Sequence, residues 1–421
     1  MPNGGRSCPV GGPLPAGARF ATSTATSRNL DGPKRARLLI PRWKSSFGKV
    51  RALPNSYLSK LDSATNVFTF RDFILLPGRS EAEPREIDLS TRLTTKIGVD
   101  LPVVSSPMDT VTEWRLALEM ARLGGAGAIH RNMPLESQVS QVKKVKASKA
   151  DARSMDSKGR PLVGASISPL DPERCKALDR VADFLVSDVA HFHNSKILRA
   201  TKKLLPELSA DFIAGNVGTR RSVFDSLDEL PRVDGFRAGI GSGSICITSE
   251  VTRVGAPTLY AVAEVASALS ERRAKVPVIA DGGIRGPGDA ALAIAAGAST
   301  VMLGSMLAGT DEAPSQVVTR GGRRFKTHRG MASAAARKVR FAVDRYSVPA
   351  KGLDEGVEAY VPLVGPAEGV VGTMQNGLKA AFGYAGARNI EEMWRLARFG
   401  LVTPTGAQEL GAHSLELKKE G

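Results

Sequence analysis

From Thr69 onward the chain alternates short apolar runs with stretches of helical pattern, and this alternation limits the fold more than any single motif does. Residues 101–106, 125–130, 162–167, 184–189, 212–215, 235–239, 276–280 and 300–303 read as eight strands. Helical segments such as 112–123 and 287–296 lie between them. Parallel strands need helical crossovers, so the pattern predicts an α/β protein built on a closed (β/α)8 TIM barrel. One such barrel with insertions uses most of the 421 residues, and nothing in the length demands a second fold.

A barrel of this kind carries its chemistry at the strand C-termini. Ser105-Ser106-Pro-Met108, His130-Arg-Asn132, Asp188, Gly215-Asn216, 241–246, Asp281-Gly-Gly283 and Gly304-Ser305 each follow a predicted strand directly. Polar and glycine-bearing residues are therefore expected to converge on one face. The loops after strands seven and eight, with Asp281-Gly-Gly283 and Gly304-Ser305, stand where barrels bind phosphate through backbone N–H groups, which predicts a phosphate-bearing ligand. Between them in importance is Gly239-Ile-Gly-Ser-Gly-Ser-Ile-Cys-Ile-Thr248, a glycine-rich loop leading into a lone cysteine flanked by hydroxyls. Alternate glycines let the backbone turn tightly and aim its polar groups inward at an anion or a cation. Cys246 at such a turn is a candidate nucleophile or an inert loop residue, and the residue alone does not choose.

Beyond the eighth strand, residues 320–359 are polar and basic with little apolar periodicity. The segment is too long for an ordinary connector, which leaves a mobile active-site flap or a surface insert. Within it, Asp344-Arg345-Tyr346 sets an arginine beside a phenol.

The net charge of +16 points to nucleic acid until it is located. Residues 1–60 hold eleven Lys/Arg against one acid, Asp31, so the basicity belongs mostly to this end. Residues 1–54, rich in Gly, Pro, Ser, Thr and Arg, read as a disordered extension: a transit peptide, a nucleic-acid arm or a misplaced start. A dispensable extension is the reading adopted, with weak nucleic-acid binding through it as the alternative; residues 55–421 form the catalytic barrel. Cys8, Cys175 and Cys246 are too few and scattered for disulfides or a Cys-x-x-Cys site, which predicts a cytoplasmic protein, with Cys175 structural. His191 and His193 have no third ligand nearby, and no apolar stretch reaches membrane-spanning length.

Taken in order, Ser105-Ser-Pro-Met-Asp-Thr-Val-Thr-Glu113, Ile129-His-Arg-Asn-Met133, Ala214-Gly-Asn-Val217, 239–248, Ile279-Ala-Asp-Gly-Gly-Ile284, Met302-Leu-Gly-Ser305, Arg329-Gly-Met331 and Asp344-Arg-Tyr346 resemble the IMP dehydrogenase / GMP reductase family over residues 69–415. The resemblance implies NAD-dependent oxidation of inosine 5′-monophosphate (IMP), in which Cys246 attacks C2 of the purine and leaves a covalent thioimidate for water to hydrolyse. It implies Arg345 as the base, with Tyr346 and Thr248 assisting. Arginine is a poor base in solution, so this role comes from the resemblance alone. It places Ser106, Ser244, Asp281, Gly283, Gly304 and Ser305 on the phosphate and ribose, with Met108 and Gly330 also on the substrate. Met331 and Glu355 fall near the purine, Asp188 and Asn216 toward the dinucleotide and reacting centre, and Arg237 beneath the site. Carbonyls of Gly241, Gly243 and Cys246 would ligate K+, with Glu409 of the C-terminal segment supplied across a subunit contact, which implies a homotetramer.

Four departures accompany the resemblance. Only about residues 143–158 stand where dehydrogenases carry paired CBS modules, so purine-nucleotide control through such modules is not expected. Asp188-Val-Ala190 is closer to the reductase than to the dehydrogenase's Asp-Ser-Ser. His328 replaces a tyrosine that contacts phosphate, which makes that contact weaker or pH-dependent. Gln408-Glu-Leu-Gly-Ala-His413 is shorter than its usual counterpart. Dehydrogenase is preferred because the reductase needs no hydrolysis and lacks the Arg-Tyr pair; the alternatives are an NADPH-dependent GMP reductase and, in another class, a nucleotide- or nucleic-acid-binding regulator.

Overall fold

The computed structural model describes residues 57–339, 341 and 354–410. The chain divides into two units, Met1–Ala64 and Thr65–Gly421. Of the first, the described part is a short helix, Tyr57–Asp62, with no buried side chain.

Strands β1 (Phe73–Leu76), β2 (Thr91–Arg92) and β3 (Gly98–Val99) precede the barrel. The barrel consists of β4 (Val103–Ser105), β5 (Ala126–Ile129), β6 (Val163–Ile167), β7 (Phe184–Ser187), β8 (Asp211–Val217), β9 (Gly235–Ala238), β10 (Val278–Asp281) and β11 (Thr300–Leu303). These eight are the eight read from the sequence, and they pair in parallel around a ring that closes where Val301 of β11 faces Val103 of β4. Nearly every strand residue is buried, as expected for strands covered by helices outside and packed side chains within. Two apolar clusters result. A small inner one, including Val104, Phe184, Val186, Ile213, Ile279 and Met302, fills the barrel, and the larger one lies between strands and helices.

The β2–β3 hairpin closes the N-terminal mouth. Leu93 and Val99 join the inner cluster, while Thr94 donates to Asp211 Oδ2 at 2.5 Å and Lys96 pairs with Asp211 Oδ1 at 3.0 Å. With that end plugged, the C-terminal mouth is the open one.

Strand ends differ from the sequence reading by one to two residues at most positions. β8 runs through Gly215 and Asn216 to Val217, where the sequence pattern stops at Gly215. Gly and Asn are weak strand formers, and pairing with β9 across a register shift between Gly215 and Val217 overrides that preference. β7 ends at Ser187, which leaves Asp188-Val-Ala190 in the following loop.

The segment after the barrel is more regular than its composition suggests. β12 (Val317–Arg320), β13 (Arg323–Arg329) and β14 (Glu358–Pro362) form a three-stranded antiparallel sheet, so the proposed flap 320–359 begins and ends in paired strands. The inward positions of β13 are Lys326 and His328, both buried, and polar residues on the inner face hide the period-2 signal. β15 (Arg398–Leu401) pairs back on β1.

Between the helix Leu135–Lys146 and β6 there is only a short connector, and one ammonium holds it. Lys146 Nζ lies 3.0 Å from Asp156 and also contacts both oxygens of Asp183, with all three side chains largely buried. Asp156 additionally accepts the N–H groups of Lys158 and Arg160, which shapes the turn. Removing the cation leaves the Asp183 carboxylate, among the described residues, with only the Val163 N–H, while Asp156 keeps Arg160 at 2.8 Å. Lys146→Met is expected to lower unfolding stability by about 3–5 kcal/mol, read by urea denaturation with unchanged m-value.

Candidate active site

β9 ends and Gly239 turns the chain with φ 127°, a conformation that favours glycine, into the loop that carries Cys246. A cleft of about 980 Å³, counted to its open mouth, lies over this loop at the C-terminal end of the barrel. From β4 and its loop it receives Ser106 and Met108; from β8, Asn216; from β9, Arg237. The cysteine loop contributes Gly241, Gly243, Ser244, Cys246 and Thr248. Asp281 at the end of β10 with Gly283 beyond it, and Gly304 and Ser305 after β11, form the wall expected for a phosphate. The last side is made by His328, Gly330 and Met331 with Glu355, from the two limbs of the flap. Seventeen residues nominated from sequence thus meet in one cleft.

Of the remaining four, two are described and do not line it. Arg345 and Tyr346 lie outside the described residues. Glu409 sits on the exposed C-terminal stub and does not line the cleft within this chain. Asp188 is fully buried and turned away from the opening: Arg131 Nη2 donates to its carbonyl at 3.0 Å, and Arg237 Nη1 donates to its Oδ1 at 3.3 Å. The loop meets the cleft instead through Val189 and Ala190.

This arrangement follows from charge pairing. Arg237 Nε also donates to Asp281 Oδ2 at 2.8 Å, and Asn216 Nδ2 reaches the same oxygen at 2.7 Å. Arg131, Asp188, Arg237 and Asp281 therefore make an alternating row of two cations and two anions, with Asp281 at the cleft end. Burying any one of them unpaired would cost several kcal/mol. Their separations in sequence, 44 to 57 residues, explain why spacing alone gives no sign of the row.

Cys246 is partly exposed, and its Sγ donates to Thr248 Oγ1 at 3.2 Å. Thr248 in turn donates to Glu355 Oε2 at 3.0 Å, and Glu355 is buried. Thiol, hydroxyl and carboxylate thus form a chain along which a proton can leave the sulfur. Backbone pairing fixes the chain's ends: Ile247 N–H donates to the Glu355 carbonyl and Val357 N–H to the Ile245 carbonyl, both at 3.0 Å. Gly330 N–H donates to the Val357 carbonyl at 2.9 Å, so both flap roots are stitched to the cysteine loop. A Cβ at Gly330 would stand 3.0 Å from Gly356 Cα, and only two glycines let these backbones cross so closely.

Met331 is held where the cleft needs it by a network that sequence spacing does not reveal. Asp109 accepts from Arg329 Nη2 and Asn132 Nδ2, both at 2.7 Å, and its backbone N–H faces Met331 Sδ at 3.5 Å. The Asp109 carboxylate pushes the Arg329 pKa upward, locking that charge. Thr110 Oγ1 is 3.0 Å from His328 Nδ1, and burial lowers the His328 pKa to about 4.

For a monovalent cation the donor set fits in kind, being backbone carbonyl oxygens. The Gly243 carbonyl already accepts Cys246 N–H at 3.0 Å and that of Gly241 faces Ser249 Oγ at 3.5 Å, each with a lone pair to spare. No group of three or more His, Cys, Asp or Glu suited to a metal occurs among the described residues, and no described helix is long and apolar enough to cross a membrane. Cys175 is buried, its Sγ donating to the Ser168 carbonyl at 3.2 Å.

Residues 67–413 match the family model described as IMP dehydrogenase / GMP reductase domain. The chain is 38% identical to the inosine-5′-monophosphate dehydrogenase of Korarchaeum cryptofilum, across 85% of this chain and 98% of that protein. It is 39% identical to that of Cryptosporidium parvum, across 84% and 96%. The archaeal alignment runs over 470 residues, more than this chain possesses, whereas the Cryptosporidium alignment runs over 389. Among solved structures, a GMP reductase variant from Trypanosoma brucei in complex with guanosine 5′-monophosphate superimposes with a TM-score of 0.78 at 29% identity, over 85% of this chain and all of that one.

Proposed function

The chain belongs to the IMP dehydrogenase / GMP reductase family, and on that premise we propose that it oxidises IMP to xanthosine 5′-monophosphate with NAD+. The observation that carries this reading is the hydrogen-bonded row Cys246–Thr248–Glu355 at the floor of the cleft. It offers the attacking thiol a route for its proton and borders the position of the hydrolytic water, while the Arg345-Tyr346 pair, which a reaction without hydrolysis does not need, favours the dehydrogenase.

The sulfur gives its proton toward Thr248 and Glu355 and bonds to C2 of the purine. NAD+ supplies the hydride acceptor, so the C2 hydrogen departs with its electron pair and a thioimidate remains on Cys246. Water then adds to C2 and loses a proton, and collapse of that adduct breaks the C–S bond and returns the thiolate. Arg345 and Tyr346 would take the water's proton, with Thr248 and Glu355 bordering the same position. Ser106, Ser244, Gly283, Gly304 and Ser305 would hold the phosphate and Asp281 the ribose, as the cleft wall suggests. Gly241, Gly243 and Cys246 carbonyls would hold K+, with Glu409 from a second copy completing the site in a homotetramer. Val189 and Ala190, not the Asp188 side chain, would face the nicotinamide.

Burial lowers the His328 pKa to about 4, so in the free protein the ring is neutral through the physiological range. Its depressed pKa also destabilises the fold as pH falls. The unfolded imidazole takes a proton near pH 6.5 and the folded one only near 4, so stability is intact above about 6.5 and declines toward 4. His328→Gln should flatten that decline in pH-dependent denaturation. An unchanged decline would contradict the burial argument.

GMP reduction is the second reading, favoured by the Val189-Ala190 pair and by the solved reductase neighbour. Absorbance at 340 nm separates the two: NADH formed from IMP supports the dehydrogenase, and NADPH consumed with GMP supports the reductase. Activity in neither assay would leave the cleft to a binding protein.

A further inference from the structure

Lys326 has 3% of its surface exposed, yet its ammonium is hydrogen-bonded to no carboxylate among the described residues. Instead Nζ donates to the backbone carbonyls of Thr310 and Ala313, each at 2.7 Å, and of Asp311 at 3.3 Å. A lysine is almost never buried without a purpose that offsets its desolvation. Here three carbonyl dipoles replace its water, just past the C-terminal end of the short helix Ser305–Ala308, where a cation is electrostatically favoured. Burial lowers the lysine's pKa, Asp311 and Glu312 oppose that shift at longer range, and Arg115 adds to it.

The two segments this ammonium joins meet the same cleft. One runs from Gly304 and Ser305 through that helix to Ala313; the other is β13, in which His328 lies two residues beyond Lys326 on the same face. Further backbone bonds support the junction: Val364 N–H donates to the Gly309 carbonyl at 2.9 Å and Leu363 N–H to that of Arg324 at 3.0 Å. Those bonds tie the strands to each other and to Gly309, whereas the Lys326 ammonium is, among the described residues, the side-chain group hydrogen-bonded to the carbonyls of Thr310, Asp311 and Ala313 together.

We propose that Lys326 is a positioning residue for the anionic end of the substrate: its ammonium clamps the loop carrying Gly304 and Ser305 against the strand carrying His328. The clamp's effect on substrate rests on the function proposed above; its mechanical part does not. Lys326→Met keeps the stem and removes all three donors. Hydrogen exchange in the full-length protein should show amides of residues 304–313 losing protection, with the barrel strands unchanged. The KM for IMP should rise about tenfold or more with kcat changed only a few-fold, as expected when a charged hydrogen-bond cluster positions a binding group. Lys326→Gln, which retains two donors, should fall between wild type and Met and covers the case in which Met does not fold.

Unchanged protection at 304–313 in either variant would overturn the clamp. Uniform loss of protection over the whole barrel with an unchanged KM would also overturn it, since a purely structural lysine behaves that way. Local loss of protection in a protein whose wild type turns over neither IMP nor GMP would uphold the clamp and discard the function.

Discussion

Cys246→Ala should bind IMP and produce NADH at a rate lower by roughly 10⁴-fold or more, because the covalent path is removed rather than weakened. Binding should survive since the wall that would hold the phosphate and ribose comes from other elements: Ser106, Asp281, Gly304 and Ser305 lie at the ends of three different barrel strands or just past them. The thiol's own hydrogen bond ends on Thr248, which keeps its bond to Glu355 without it. Equilibrium dialysis with labelled IMP and absorbance at 340 nm test the two halves separately. Turnover within tenfold of wild type would remove the nucleophile and with it the thioimidate route.

Arg345→Ala should divide the reaction at a different point. Hydride transfer precedes any need for a base on the water, so a first burst of NADH equal to the enzyme concentration is expected. Steady-state turnover should drop by about 10²–10⁴-fold, the usual worth of a positioned base. Protein-bound purine should accumulate meanwhile, visible as added mass on the peptide containing Cys246. A burst lost together with the steady state would assign Arg345 to binding. The residue lies outside the described part of the flap, but its place in the chain is bracketed by Met331 and Glu355, which both line the cleft.

The barrel was legible because its signal is local and repetitive. Each strand is a buried apolar run and each crossover a helical pattern, so all eight strands can be read without knowing any contact. The cleft wall was legible for a related reason: the fold sends every strand's C-terminal residue to one face, so position along a strand stands in for position in space. What remained hidden is made of long-range polar pairing. Nothing near Asp188 announces that Arg131 and Arg237 will draw its carboxylate inward, or that Asp109 will hold Arg329 from 220 residues away. The flap's strands were hidden for the opposite cause. Lys326 and His328 occupy positions where a strand normally shows apolar residues, and the very groups that blur the pattern anchor the sheet.

Gly330 and Gly356 cross backbone to backbone within van der Waals contact, so the excursion between them begins and ends at one point of the molecule. A loop whose ends are already joined adds little closure entropy when it lengthens, about 0.6 kcal/mol for each doubling. What hangs from this pinch can therefore change in length or sequence while Cys246 and Glu355 keep their places. An excursion of another length could hang from the same two glycines with no change to the barrel beneath.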